Sequence, residues 1–309
     1  MIKYFYKSLR TTSLSELDDY KRGTWVYVED PSQDEIDRLV SKFGLEASTI
    51  ADALDENEMP RLEKDGDNSY IFIRFVTKNE DGEMVTMPLL FVFGTELLMT
   101  VSLVRLPSLE TFVAGKVDFA TTQRAKLVLQ ILQQVSEHYD SYIKSTSKQI
   151  KLIRTHLRGH EIGNQDFIDF ATIEDELNEF LSALVPTNAT LRRLMLGRYM
   201  PLFDQDQDIV EDLLLNNEQS IEACNSNMKS IGNIRDAYTS ISSNNLNRTI
   251  KVLTIATVMI AIPNLFYSMY GMNMDLPWQH EPWLYWALLG FTITLVLVVA
   301  YLARRKKIF

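Results

Sequence analysis

The stretch VLTIATVMIAIPNLFYSM (Val252–Met269), followed at once by Tyr270-Gly271-Met272-Asn273, decides how this chain is read. No charged residue occurs from Val252 to Met274, and after a short loop a second apolar run, LYWALLGFTITLVLVVAYLA (Leu284–Ala303), begins. Each run reaches the roughly 18–20 residues needed to cross the hydrocarbon core of a bilayer. Pro263 and Asn264 are unusual in a span, but are tolerated where neighbours or a water-filled cavity satisfy the freed backbone. Arg248 and Lys251 precede the first run, and Arg304-Arg305-Lys306-Lys307 follows the second. The connecting loop, GMNMDLPWQHEPW, has no Lys or Arg and carries Asp275 and Glu281. The excess of cations at both outer ends predicts a membrane hairpin with both termini cytoplasmic and the loop outside. Tyr267, Tyr270, Trp278, Trp283, Tyr285 and Trp286 crowd the loop end, as an interfacial aromatic belt does.

Outward from the hairpin the chain changes character. The 309 residues carry a net charge of -10, and the charged residues are concentrated before Val252. That balance argues against nucleic acid as a partner, since phosphate binding needs a basic face. The charged start, Met1 to Lys7, lacks the apolar core of a signal peptide, so the large N-terminal part is expected in the cytosol. Cys224 is the single cysteine, which excludes an intramolecular disulfide and fits a reducing compartment. Residues 1–106 read as an α+β domain. Trp25-Val26-Tyr27-Val28 is a strand, and Ser32-Gln33-Asp34-Glu35 is a capping box opening a helix through Lys42. Tyr70–Phe75, Val85–Phe93 and Glu96–Ser102 read as consecutive strands, with turns near Gly82 and Gly94. Residues 107–200 read as long helices with breaks near Gly159–Gly163 and at Pro186. Between Pro201 and Pro263 there is no proline and one glycine, Gly232. Apolar residues recur at Ile221, Cys224, Met228, Ile231, Ile234, Tyr238 and Ile241 at helix-seam spacing. Residues 201–270 therefore predict one long helix running into the first span, on the order of 100 Å at about 1.5 Å per residue. The loop (271–283), second span (284–303) and basic tail (304–309) complete the division.

Heptad steps back from Gly271 reach Asn264, Thr257 and Ile250, and from Ser268 they reach Ala261, Thr254 and Asn247. All but Ile250 are small or polar, on one narrow helix face. Such a stripe suits either a helix–helix contact, where small and hydroxyl residues serve, or the wall of an aqueous path; the amides of Asn264 and Asn247 favour the path. One hairpin cannot enclose a pore, so that reading needs several copies. Uncharged oxygen ligands, with Asn273 at the mouth, fit Mg²⁺, which sheds water reluctantly and can be held through its hydration shell. Carboxylates in the stripe would hold it too tightly for rapid exit. No Gly-rich Lys-Ser/Thr loop for ATP is visible; the membrane potential supplies about 2.3 kcal/mol per charge per 100 mV.

Several stretches together resemble the CorA family of magnesium transporters: Asn247, the run Lys251-Val252-Leu253-Thr254, Tyr270-Gly271-Met272-Asn273, two terminal spans and a basic tail. Earlier, Ser69–Arg74 followed by Leu89–Val101 is similar to the family's α/β domain, and Arg235-Asp236-Ala237-Tyr238 suits its stalk helix. The resemblance covers the whole chain and is most specific from Asn247 onward. It implies an α+β cytosolic domain, long stalk helices and two C-terminal transmembrane helices, assembled in a cell membrane as a funnel-shaped homopentamer. It implies a selectivity ring of Gly271, Met272 and Asn273, preceded by Tyr270, that takes hydrated Mg²⁺, with Co²⁺ and Ni²⁺ as additional ions. Asn264 and Asn247 become polar rings, Leu253 a hydrophobic constriction, and Asp212 a stalk acid for a regulatory Mg²⁺ that shuts the path. Two departures stand out: Pro263 directly precedes Asn264 where the family often has Thr two residues after the proline, and Met274-Asp275-Leu276 replaces a Met-Pro-Glu run.

Other residues invite competing readings. Asp204, Asp206, Asp208 and Glu211 read as a solvated helix start, where acids suit the dipole. His156 and His160 have zinc-pair spacing but flank Gly159 without a companion ligand. No catalytic grouping stands out, and an enzyme is not expected. The alternatives are a zinc or other transition-metal transporter of the same fold, and a non-conducting membrane-anchored scaffold or sensor.

Overall fold

A computed structural model of the chain describes residues 1–11, 13–80, 82–156, 164–273, 277–278 and 280–305. Two compact units result, Met1–Gly232 and Asn233–Phe309. The strands are β1 (Ile2–Tyr6), β2 (Ser15–Leu17), β3 (Trp25–Glu29), β4 (Arg61–Asp65), β5 (Asn68–Lys78), β6 (Met84–Phe93) and β7 (Leu98–Ser102). The helices are α1 (Gln33–Phe43), α2 (Ala47–Asp52), α3 (Leu109–Val113), α4 (Arg124–His156), α5 (Asn164–Leu194), α6 (Asp204–Tyr270) and α7 (Trp283–Arg305).

The strands form one sheet in the order β2-β1-β3-β7-β6-β5-β4. β3 and β7 pair in parallel and the other neighbours antiparallel. Both central strands are buried on their two faces, which explains why Trp25-Val26-Tyr27-Val28 and Leu98–Ser102 are runs rather than alternations. On one face Val26, Val28, Tyr70, Phe72, Leu90, Val92, Met99 and Val101 pack under Ile36 and Leu39 of α1 and Ile50 of α2. On the other, Trp25 meets Phe112 of α3 edge-on at 6.0 Å and donates its indole N–H to Thr100 at 2.9 Å. The capping box at Ser32 is formed as the sequence predicts, with Glu35 reaching back to the Ser32 amide. Gly44, at φ 61, ends α1 in the left-handed conformation that favours glycine.

A buried arginine fastens the sheet to α5. Arg74 donates to the Glu56 and Glu58 carbonyls (2.8 Å each) and to the Thr86 hydroxyl (2.7 Å) and carbonyl (2.6 Å). It also pairs with Glu179 at 3.4 Å, and Tyr139 of α4 donates to its carbonyl at 3.2 Å.

The helical region departs from the sequence reading in two places. Pro186 lies inside α5 and does not break it. The carbonyl that loses its partner is that of Ser182, four residues back and exposed, so water can satisfy it. The interruption expected near Gly159–Gly163 lies outside the described residues. In α6 the buried positions between Val210 and Ile231 are Val210, Leu213, Asn217, Ser220, Cys224, Asn227 and Ile231. Of the seam read from the sequence, Cys224, Ile231 and Ile234 are buried, Ile221, Met228 and Tyr238 are half-buried, and Ile241 is exposed. Polar residues hold the missing positions: Asn227 bonds Ser147 at 2.9 Å, and Asn217 donates to the Leu184 carbonyl at 2.8 Å. Burial pushes the Cys224 thiol up to about 12, so it packs as a neutral group.

Candidate functional site

α6 runs without interruption through Gly232 and Ser242-Ser243-Asn244-Asn245 to Tyr270. Its C-terminal part and α7 are the helices long and apolar enough to cross a membrane. Within the unit Asn233–Phe309, the partly covered residues of α6 from Val252 onward are Val252, Ile255, Met259, Ile262, Pro263, Phe266 and Tyr270. Their spacing of three and four marks one stripe. α7 offers the matching stripe Leu284, Leu288, Thr292, Leu295, Val299 and Ala303, and Phe266 meets Phe291 edge-on at 5.3 Å.

Asn247, Ile250, Leu253, Thr254, Thr257, Ala261, Asn264 and Ser268 are all exposed in the single chain. Thr257, Asn264 and Ser268 each lie two residues from covered positions on either side, about 200° around the helix. They therefore sit on the face turned away from α7. Two threonine hydroxyls of the stripe satisfy themselves: Thr254 donates to the Ile250 carbonyl at 2.8 Å and Thr257 to that of Leu253 at 2.9 Å. The amides do not: among the described residues, the side chains of Asn247, Asn264 and Asn273 have no hydrogen-bond partner. Every residue from Thr239 to Lys251 is exposed as well, including Ile241, Leu246 and Ile250.

At the helix end Gly271 donates its N–H to the carbonyls of Tyr267 (3.1 Å) and Ser268 (3.2 Å), and Met272 donates to that of Met269 at 3.4 Å. Gly271, Met272 and Asn273 are exposed, whereas Tyr270 falls on the covered stripe. A methyl group at Gly271 would meet only the Tyr267 and Ser268 carbonyl oxygens, at 3.4 and 3.5 Å. Neither contact is prohibitive, so among the described residues of one chain nothing demands glycine there. One inter-helix contact escaped the sequence reading: the Tyr267 hydroxyl lies 3.2 Å from that of Thr292.

Away from the hairpin, Asp204 and Asp206 fall in the first turn of α6, and Asp206 accepts the Phe203 N–H at 3.1 Å, an end-capping role. Asp212 is exposed about two helical turns further on. Among the described residues, no three His, Cys, Asp or Glu side chains converge as a metal site. The His156 and His160 side chains, and Asp275, lie outside the described residues; Glu281 is exposed.

Comparison with known proteins gives a consistent result. The family model described as CorA-like Mg²⁺ transporter protein matches residues 20–305. The cobalt/magnesium transport protein CorA of Methanocaldococcus jannaschii is 24% identical over 297 residues, covering 94% of this chain and 92% of that one. The magnesium transport protein CorA of Wolinella succinogenes is 25% identical over 295 residues, covering 89% and 86%. The complete structure of the CorA magnesium transporter from M. jannaschii superposes with a TM-score of 0.87 at 22% identity, covering 99% of this chain and 98% of that one.

Proposed function

The chain belongs to the CorA-like Mg²⁺ transporter family, and from that premise we propose that it is a membrane transporter passing hydrated Mg²⁺, and Co²⁺ or Ni²⁺ as secondary ions, down the membrane potential. One observation carries the reading: the unpartnered amide of Asn264 lies on the face of α6 turned away from α7. An amide moved into hydrocarbon without a partner costs about 4–8 kcal/mol. Asn264, in the middle of an apolar helix, therefore faces water or another chain, and several copies turning this face inward meet both conditions.

On this reading the copies form a homopentamer in the cell membrane, with α7 on the lipid side of each α6. Asn273 lies at the outer mouth and accepts hydrogen bonds from the ion's water shell, an arrangement suited to an ion that dehydrates reluctantly. Gly271 leaves room for the neighbouring copies, which accounts for a glycine that the single chain does not need. Asn264 and Asn247 continue the polar lining, with Ser268, Ala261, Thr257, Thr254 and Ile250 between, and Leu253 narrows it. For a divalent ion the driving force is roughly twice 2.3 kcal/mol per 100 mV, enough to draw uptake without ATP. Asp212 on the stalk holds a regulatory Mg²⁺ that closes the path when the cytosol is replete. The termini lie on the cytosolic side, as the cation excess at the hairpin's ends directs.

The test is growth of a Mg²⁺-transporter-deficient strain on low Mg²⁺. The full chain is expected to restore growth and Asn273→Ala to abolish the rescue at equal membrane abundance. Rescue that survives intact in the variant overturns the assignment of the mouth.

A further inference from the structure

The face that α6 presents to an ion depends on how the helix is rotated against α7. Most of that contact cannot set a rotation. The covered residues Val252, Ile255, Met259 and Ile262 are aliphatic or thioether groups, and in hydrocarbon such surfaces gain little by meeting one another rather than lipid. A hydrogen bond is directional. Among the described residues, the bond between Tyr267 and Thr292 is the one that joins side chains of the two helices.

Its direction follows from counting protons. The Thr292 hydroxyl lies 2.9 Å from the Leu288 carbonyl and 3.0 Å from that of Leu289. Carbonyls only accept, so the single Thr292 proton is given to its own helix. With Tyr267 donating and Thr292 accepting at 3.2 Å, both hydroxyl protons find an acceptor. Thr292 is 3% exposed, so lipid and water do not compete for it. At its other end the same tyrosine holds the mouth: its carbonyl receives the N–H of Gly271 at 3.1 Å. One residue thus links α7 to the turn that carries Asn273.

We propose that Tyr267 and Thr292 are positioning residues for ion selection, fixing the rotation of the outer end of α6 and with it the place of Asn273. This rests on the reading of Asn273 as part of the ion-selecting mouth. A mouth held in one geometry favours the octahedral shell of Mg²⁺ over the larger, more variable shell of Ca²⁺; a mouth free to rotate discriminates less. Thr292→Val keeps the shape and removes the acceptor, stranding the tyrosine O–H. Tyr267→Phe removes the donor and leaves Thr292 satisfied by its own helix, so it is the milder change.

The experiment compares initial uptake of Mg²⁺ and Ca²⁺ by the full-length protein in proteoliposomes at fixed potential. Both variants are expected to lower the Mg²⁺ to Ca²⁺ ratio by about threefold to tenfold, the range of one inter-helix hydrogen bond in a membrane. The double variant should fall no further than Thr292→Val alone, and Thr292→Ser should restore the normal ratio. A contact that only held the helices together would change thermal stability and leave the ratio alone, and that result in both variants overturns the proposal. Asn273→Ala is run in parallel. If it leaves Mg²⁺ uptake at the normal rate, the reading of the mouth fails and the proposal with it. If it abolishes uptake while both variants keep the normal ratio, the positioning role alone fails.

Discussion

Replacing Asn264 with leucine separates the two ways a polar stripe can be used. In the single chain this amide is exposed, has no partner and sits on the α6 face away from α7. Were that face against lipid, the amide would cost about 4–8 kcal/mol, and Asn264→Leu would relieve it. At roughly 2–4 °C per kcal/mol for a moderately large domain, the solubilised protein would melt on the order of 10 °C higher, with uptake unchanged. Against an aqueous path the signs reverse. The amide is then hydrated and costs nothing, so the melting temperature stays within a few degrees. Each copy instead loses a polar contact with the hydrated ion worth about 0.5–1.5 kcal/mol. Two or more such losses felt together at the barrier lower uptake about fivefold or more at about 1.4 kcal/mol per decade. The assays are thermal denaturation of the solubilised full chain and Mg²⁺ uptake into proteoliposomes. A large rise in melting temperature with normal uptake would refute the reasoning.

Arg74→Met removes a buried cation that four backbone or hydroxyl oxygens and Glu179 share. Leaving buried acceptors such as the Thr86 carbonyl unpaired costs about 1–3 kcal/mol each, so the denaturation midpoint should fall sharply; Arg74→Lys should rescue little, since an ammonium cannot span the same fork. Glu176 on α5 accepts the Met84 N–H at 3.4 Å, and burial raises its carboxyl above the ordinary Glu value. The folded state thus holds this proton more tightly than the unfolded chain, and the associated stability is present at low pH and lost as pH rises through the folded value. Glu176→Gln should therefore raise the midpoint near about pH 7 and leave it unchanged near about pH 4, and equal shifts at both would contradict the assignment. Asp212→Ala is expected to raise Mg²⁺ flux several-fold at millimolar internal Mg²⁺, measured by patch recording or uptake; unchanged flux would move regulation elsewhere.

Both spans, the long helices and the strands of the central sheet were readable because each has a strong periodic or continuous apolar signal. What escaped has physical reasons. β4 (Arg61–Asp65) is an edge strand with a charged sequence, RLEKD, which shows no alternation strong enough to see. β1 carries Lys3 beside its aromatic residues and lies next to the short edge strand β2. Pro186 looked like a break because the sequence does not reveal that the orphaned carbonyl is exposed. The α6 seam is incomplete when read as apolar alone, because Asn217 and Asn227 also occupy it through specific partners that only a tertiary structure supplies. Heptad spacing shows the polar stripe, yet which face α7 covers is a matter of packing that the sequence alone does not reveal.

The exposed part of α6 from Thr239 to Lys251 bears on why the chain is written as one helix at all. Isolated helices of this length are marginal in water, because nucleation is costly and packing supplies most of their stability. Here packing is missing: Ile241 is 58% exposed, Leu246 61% and Ile250 51%. Continuity with buried helix on one side and a membrane span on the other removes the nucleation cost but does not cover these side chains. Other copies of the chain, as proposed above, would cover them, and the same copies would meet the unpaired amides of Asn247 and Asn264 across a shared axis. Apolar contact between neighbours and polar lining of the axis are then complementary faces of a single helix. A substitution such as Leu246→Asp should accordingly disperse the assembly, as read by its mass in detergent, and leave the fold of residues 1–232 intact by protease resistance.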